Sequence, residues 1–487
     1  MAANSYKETD YFSHPVSRAH PDHLRCIGKL FGMQPPAVES CQILELGCGD
    51  GGNIIPLAAH YPNANFFGVD LSERAIQRGQ ERIRKAGLTN IELAVRDLKS
   101  FEPQRDKFDY VIAHGLYSWV ADPIKKRSLQ IIRNALSPQG IAFVSYNTFP
   151  GWHQRLITRE FVEFHTVGIE DPKLKVIQAK AAMEFLANSA APRAQHYRAV
   201  LTEEKNTINS LMDWHFLHDY LEENNDPRYF TQFIMESEAE GLQYLGDSEL
   251  SQMLPLEFPK EVQDRVAKLS RDTVRMEQYL DFLRNRMFRR TLLVRDDVTI
   301  RREFRPVDIG DLYVASALKP EKGAQGEIRF AHPNGGGLNG GDPILIRALE
   351  FLYKIYPSDI SFSELERQLG PGTLAGSMLK FGISDLVELR TASRRIPAAV
   401  SEIPTAFRLA RSEADLSAIH PNILHEMVGV DELERALLRL ADGRRTVLQI
   451  AEQLLASGAK NQPRDNAIHV VRVKLEELRR KALLSAG

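Results

Sequence analysis

Between residues 42 and 146 short apolar runs alternate with amphipathic ones. The apolar runs Gln42–Leu46, Asn65–Asp70, 90–95, 108–114 and 140–146 predict strands. A helix is predicted between the second and third: Ser72 is a suitable N-cap, Ile76, Gly79 and Ile83 share a face, and Gly87 is a stop. Another is predicted over 123–136, leading into the fifth strand. Such alternation packs as a parallel sheet with helices on both faces, an α/β core.

After Phe149-Pro150-Gly151-Trp152 the texture changes, and helical periodicity prevails over 153–287. Strand patterns return at 288–294 and 312–317 and are expected to complete the first sheet as a terminal hairpin, which makes the helical stretch an insertion. The Gly-, Asn- and Pro-rich segment 333–343 reads as a linker or long loop. Beyond it, 344–370 and 430–487 carry helix-turn-helix-like spacing, with a turn at Asp442-Gly443. The expected organisation is an N-terminal lid or extension (1–41), a core (42–150), a helical middle domain (151–287), strands completing the core sheet (288–330) and a helix-rich C-terminal domain (331–487).

Composition narrows the function classes. A chain of 487 residues with a net charge of −2 has no global field to draw it onto nucleic acid or an anionic membrane. The three cysteines, Cys26, Cys41 and Cys48, lack the paired spacing of a zinc site or redox dithiol, so no metal is expected and the thiols should be reduced. With no signal-like N-terminus and no apolar run of membrane-spanning length, a cytoplasmic protein is expected.

The segment Glu45-Leu46-Gly47-Cys48-Gly49-Asp50-Gly51-Gly52-Asn53, between the first strand and a helix, marks a nucleotide-type crevice. Gly47, Gly49 and Gly52 satisfy the dinucleotide fingerprint, and Gly47, Gly49 and Gly51 after Glu45 satisfy the pattern of methyl-donor folds. A diphosphate prefers bare N–H groups and is repelled by a carboxylate at the strand mouth. S-adenosylmethionine carries a sulfonium and an ammonium, which acids favour. Asp70, ending the second strand, suits ribose hydroxyls of either cofactor. Asp97, after the third, suits the adenine amino group and tips the reading to S-adenosylmethionine. The adjoining Leu71 and Leu98, and Asn53, are counted with the site. The bland alternative is that the three acids only cap helices and turns.

Several strings go further. His20-Pro21-Asp22-His23-Leu24-Arg25, Ala113-His114-Gly115-Leu116-Tyr117-Ser118-Trp119, Val144-Ser145-Tyr146-Asn147-Thr148, Phe216-Leu217-His218-Asp219-Tyr220 and Gly241-Leu242-Gln243-Tyr244-Leu245 resemble segments of class I S-adenosylmethionine-dependent methyltransferases that carry a methyltransferase regulatory domain. With Phe288-Arg289-Arg290-Thr291-Leu292-Leu293, the resemblance spans about Tyr11 to Lys319. It implies a Rossmann-like class I methyltransferase core with a helical inserted regulatory domain and a winged-helix-like C-terminal domain. The best-known relatives, the rickettsial enzymes that methylate lysines of outer membrane proteins, imply protein lysine N-methylation. They also suggest a homodimer.

A lysine ammonium, of unperturbed pKa about 10.4, has no lone pair, so the site must favour the neutral amine, and burial beside a sulfonium does so. His114 and Tyr117, at the end of the fourth strand, are expected to position the acceptor. His114 would relay a proton through water, and Tyr117 with Trp119 would form an aromatic wall around the lysine stem. The alternative is a neutral, hydrogen-bonded His114 and a core Trp119. Tyr11 and His23 are candidate lid contacts to the cofactor. The arginine-rich stretch 284–305 reads as an acidic-partner surface or, more simply, as a solvated face with local ion pairs.

Two other readings remain open: a small-molecule methyltransferase, and a cofactor-sensing regulator that places its C-terminal region on DNA. From Ser401 to Gly487 thirteen Lys and Arg face twelve Asp and Glu, a poor footprint for phosphate binding. A partner-binding role for that region is preferred.

Overall fold

The computed structural model describes residues 13–222, 224–322, 327–370, 374–457 and 464–486. Its centre is a seven-stranded sheet, β1 (Gln42–Leu46), β2 (Asn65–Asp70), β3 (Ile91–Val95), β4 (Phe108–Ala113), β5 (Leu136–Asn147), β6 (Leu242–Asp247) and β7 (Phe288–Arg295), in the order β3-β2-β1-β4-β5-β7-β6. The strands β1 to β5 are parallel, and β7 enters antiparallel between β5 and β6. Ile43, Leu44 and Leu46 of β1 and Val111 and Ile112 of β4 are fully buried, as expected of central strands covered on both faces.

Eleven helices are labelled here up to β7: α1 (Pro21–Leu30), α2 (Ile54–His60), α3 (Glu73–Ala86), α4 (Asp122–Ala135), α5 (Trp152–Thr166), α6 (Pro172–Ser189), α7 (Gln195–Ser210), α8 (Asp213–Leu221), α9 (Phe230–Glu238), α10 (Lys260–Leu269) and α11 (Thr273–Arg284). The predicted punctuation of α3 is realised. Ser72 Oγ accepts from the Ala75 N–H, and Gly87 closes the helix at φ +62°, a left-handed conformation costly for other residues.

The closing hairpin differs from expectation. The strand at 288–295 does join the sheet, antiparallel to β5, but its partner on the other side is β6, from within the stretch read as helical. Residues 313–315 instead pair with Ile360–Ser361 and Glu388–Arg390 in a separate small sheet. Six residues, nearly all buried and entered through Gly241 at φ +75°, carry no alternation and are too short a signal to stand out among surrounding helices. The helices α5 to α8 have a core of their own, with Val162, Val176, Met183, Leu201, Phe216 and Tyr220.

The arginine-rich stretch is neither an open docking face nor simply solvated. Arg289 is fully buried, 2.8 Å from Asp281 and 3.1 Å from Glu277, and Arg286 reaches Asp247 at 2.7 Å. This cluster ties α11 to the β6–β7 hairpin. The flanking arginines do form local pairs, Arg290 with Glu249 and Arg295 with Asp297.

In the C-terminal part, helices Glu432–Leu440, Val447–Ser457 and Arg464–Arg480 accompany a hairpin of Ile419–Pro421 and Met427–Gly429, the arrangement of a winged helix. It docks on the core through Arg82–Glu413 at 2.9 Å and through Arg408, which donates to the carbonyl of Ala86 at 2.9 Å. No described helix is long and apolar enough to cross a membrane.

Candidate functional site

The carboxyl ends of β1, β2 and β4 converge on the glycine loop. Gly47, Gly49 and Gly51 all adopt positive φ, and the loop is pinned to β2 by N–H groups of Gly47 and Cys48 donating to the Val69 carbonyl at 2.8 and 3.1 Å. Asp70 receives the Gly49 N–H on one carboxylate oxygen and the Ser72 N–H on the other, each at 2.8 Å. Each oxygen keeps a lone pair for a ligand hydroxyl. Burial raises the Asp70 pKa, and those backbone N–H bonds oppose the rise.

Glu45 lies under the loop, 3% exposed. Its Oε1 accepts from Asn53 Nδ2 at 2.8 Å, whereas its Oε2 is buried without a partner among the described residues. Burial raises its pKa to about 8, and the neighbouring charges of Asp70 and Asp50 push the same way. A buried, half-satisfied carboxyl between two other acids calls for a cationic group.

At the end of β4, Gly115 has φ +62° and no atom of the described residues within 4 Å of where a Cβ would stand. Beside it, the Ser145 hydroxyl accepts from the Gly115 N–H and lies 2.9 Å from His114 Nδ1. Burial, with Arg290, lowers the His114 pKa to about 4, so the ring is neutral at physiological pH. This departs from the proton-relay role expected of His114: so weak a base holds few protons at neutral pH.

Among the described residues, the N-terminal segment folds over the loop through Ser13 and Val16. Ser13 Oγ donates to Asp50 at 2.5 Å and accepts from the Gly52 N–H at 2.7 Å, and the Val16 N–H donates to Asn53 Oδ1 at 3.0 Å. Gly52 must be glycine here, since a Cβ would stand 1.8 Å from the Ser13 carbonyl oxygen. Tyr11 lies outside the described residues. His23 makes its hydrogen bond to the Ser248 carbonyl at 2.7 Å and lines a cavity of about 390 Å³ with Arg18, Asp385, Glu388 and Arg390, none of them in the glycine loop. Its helical position turns it toward the C-terminal part instead.

Tyr117 and Trp119 both stand where the core meets the helical part. Tyr117 is 2% exposed, packs edge-on against Phe233 and Tyr146, and donates its hydroxyl to Glu236. Trp119 stacks near His218 at 4.1 Å between ring centroids and meets Trp152 at 6.4 Å. The turn at Tyr117–Trp119 brings both rings into the joint between core and helical part. Asp97 stands exposed at the end of β3, where its Oδ1 accepts from the Lys99 N–H at 2.9 Å, with Leu98 half-buried and Leu71 57% exposed at the rim.

Sequence reasoning missed Ser13, Val16, Asp50 as a strap contact, and His425. The last comes from the C-terminal hairpin, with Nε2 2.8 Å from Asn53 Oδ1. No local signal marks it. Among the described residues one acidic trio, Asp431, Glu434 and Glu477, lies close enough to share a cation, and Lys474 and Lys481 already bridge it.

Three carboxyl groups, one with an orphaned buried oxygen, and open space over Gly115 fit an adenosyl group with a positive tail; a diphosphate would face the same acids. Fold and site together define a Rossmann-like nucleoside-binding α/β core of the methyltransferase type.

Comparison with known proteins agrees. Residues 37–200 match the methyltransferase domain family, 213–295 the predicted methyltransferase regulatory domain, and 402–483 the PKMT C-terminal winged helix domain. An uncharacterized protein of Rickettsia prowazekii is 31% identical over 482 residues, covering 94% of this chain and 87% of its own length. A second from the same organism is 37% identical over 241 residues, 50% of this chain and 96% of its own. The solved structure of PKMT2 from Rickettsia typhi in complex with AdoHcy matches with a TM-score of 0.86 at 28% identity, over 98% of this chain and 100% of that one. The chain belongs to the class I S-adenosylmethionine-dependent methyltransferases that carry a methyltransferase regulatory domain and a PKMT winged-helix domain.

Proposed function

We propose that the protein transfers a methyl group from S-adenosylmethionine to a lysine side-chain amine of a protein substrate. The observation that carries this reading is the end-to-end likeness, over 98% of the chain, to PKMT2 of Rickettsia typhi in complex with AdoHcy. When bound, the cofactor supplies a methyl on a positive sulfur, open to in-line displacement. The residues of the chain then have three tasks. Glu45, with Asp50 and Asp70 around it, holds the charged tail and the ribose; the left-handed glycines let the backbone approach closely; and Gly115 leaves room at the end of β4. Asp97 at the rim is assigned to the adenine amino group.

His114 is assigned a hydrogen-bonding role beside the reacting centre, because its lowered pKa makes it a poor base. Loss of the lysine proton is assigned to burial beside positive charge, which lowers an amine pKa without a dedicated base. In this reading residues 42–150 carry the cofactor, the helical part 151–287 presents the substrate, and the C-terminal part braces the core. Three buried free cysteines support a reducing, cytoplasmic setting. A homodimer belongs to the same reading, with the exposed stripe Leu174, Ile177 and Phe185 on α6 as its contact, to be checked by light scattering.

The deciding experiment is incubation with labelled methyl donor and lysate proteins or lysine peptides, followed by mass spectrometry. Label on lysine is expected. Label confined to small molecules would transfer the assignment to a metabolite methyltransferase.

A further inference from the structure

Asn53 is the meeting point of three distant parts of the chain. Its Oδ1 faces the Val16 N–H at 3.0 Å and His425 Nε2 at 2.8 Å, and its Nδ2 faces Glu45 Oε1 at 2.8 Å. The Val16 backbone N–H can only donate, so the amide atom opposite it must be the oxygen. It follows that His425 Nε2 carries the proton and donates, and that the amide nitrogen is turned onto Glu45. With two donors on its oxygen, the amide cannot flip without placing N–H groups head to head. Asn53 and His425 are each 2% exposed, so each lost bond leaves a buried polar group unmatched.

The hairpin tip is shaped to deliver this ring. His425 adopts φ +64°, unusual for a residue with a side chain, and the conformation is held by its N–H donating to the Asn422 carbonyl at 3.1 Å and by the Glu426 N–H donating to Asn422 Oδ1 at 2.9 Å. The tip is anchored to the rest of the winged helix by the Ile423 N–H, which donates to the Ala482 carbonyl at 3.0 Å. His20 flanks the ring edge-on, with 5.7 Å between centroids. Neither the fold of the winged helix nor the packing of the sheet requires a histidine in this place.

We propose that His425 is a positioning residue for the cofactor pocket: from the winged-helix hairpin it locks the Asn53 amide, which aims the Glu45 carboxyl so that its free oxygen meets the positive tail of the adenosyl amino-acid ligand. The winged helix thereby becomes part of the cofactor site, and lifting it from the core weakens cofactor binding. This inference rests on the glycine loop being the S-adenosylmethionine site.

The test is calorimetric titration of the full-length protein with S-adenosylhomocysteine, paired with methyl-transfer kinetics and thermal melting. His425→Ala should weaken binding about tenfold, the loss of one buried hydrogen bond, and raise the KM for S-adenosylmethionine with kcat within about threefold. His425→Gln, which keeps a donor in place of Nε2, should stay within threefold of the parent. The double variant with Asn53→Ala should bind no more weakly than Asn53→Ala alone, since both act on one chain of bonds. Should His425→Ala fail to fold, His425→Leu fills the same space without a donor and serves in its place. Unchanged affinity in the donor-less variants, no rescue by glutamine, or additive losses with Asn53→Ala would each overturn the inference while leaving the cofactor reading intact. No binding by the parent protein would remove the cofactor reading itself, and this proposal with it.

Discussion

Replacing Glu45 with glutamine separates the charge of the pocket from its shape. Burial lifts the Glu45 pKa to about 8, with Asp70 and Asp50 adding to the rise, against 4.5 for a free glutamate. Below pH 8 the carboxyl is therefore mostly protonated, and a ligand that needs the carboxylate must first expel that proton. Each pH unit below 8 costs about 1.4 kcal/mol, or a factor of ten in affinity. Because at pH 8 half of Glu45 is already ionised and more than half of the ligand amine has lost its charge, affinity for S-adenosylmethionine should fall about twentyfold between pH 8 and pH 6. Above pH 8 it should fall again, as the α-amino group of the ligand, with a pKa of about 7.7–8.0, loses its own charge.

The nearby histidines do not confuse the window: His114 and His425 are lowered to about 4 and about 3, chiefly by burial, and stay neutral across it. Calorimetry in two buffers of different ionisation enthalpy counts the protons. The parent protein should release about one per ligand near pH 6.5, and Glu45→Gln should release none and show a flat profile on the acid side. Without ligand the sign reverses. Because the folded-state pKa is raised, stability is highest below pH 4.5 and is lost as pH rises through about 8, by at most about 5 kcal/mol, and glutamine removes that slope. Equal affinities at pH 6 and pH 8, or the same acid limb in both proteins, would refute the assignment of Glu45 to the charged tail.

Three further outcomes are expected. Gly115→Ala places a methyl group in open space at φ +62°, so melting should reflect only about 1–2 kcal/mol of backbone strain while S-adenosylhomocysteine affinity drops more than tenfold; unchanged affinity would locate the ligand elsewhere. Arg289→Leu strands Glu277 and Asp281 in the interior and should cost about 3–5 kcal/mol, read as a marked fall in the calorimetric transition. Tyr117→Phe removes only the hydroxyl given to Glu236, and kcat should stay within about threefold; a loss beyond a hundredfold would restore Tyr117 to the acceptor site.

The strand-turn-helix units and the chemistry they carry are written in the local order of residues. Glu45, the three left-handed glycines and Asp70 were legible because a tight turn, close backbone approach and an acid at a strand end are demands made within a few residues of chain. The pairing of β7 was not legible, since hydrogen-bonding partners along a sheet edge are chosen by which strand packs there, and the short β6 leaves almost no periodic trace. The same holds for facing direction: an aromatic pair after β4 suggests a substrate wall, yet only the docked helices turned Tyr117 onto Phe233 and Trp119 onto His218. Tertiary structure alone decided that Ser13 and Val16 strap the loop and that His425, 372 positions from Asn53, completes it. Such contacts depend on how whole domains bury their faces against one another, and no local spacing in a chain records that.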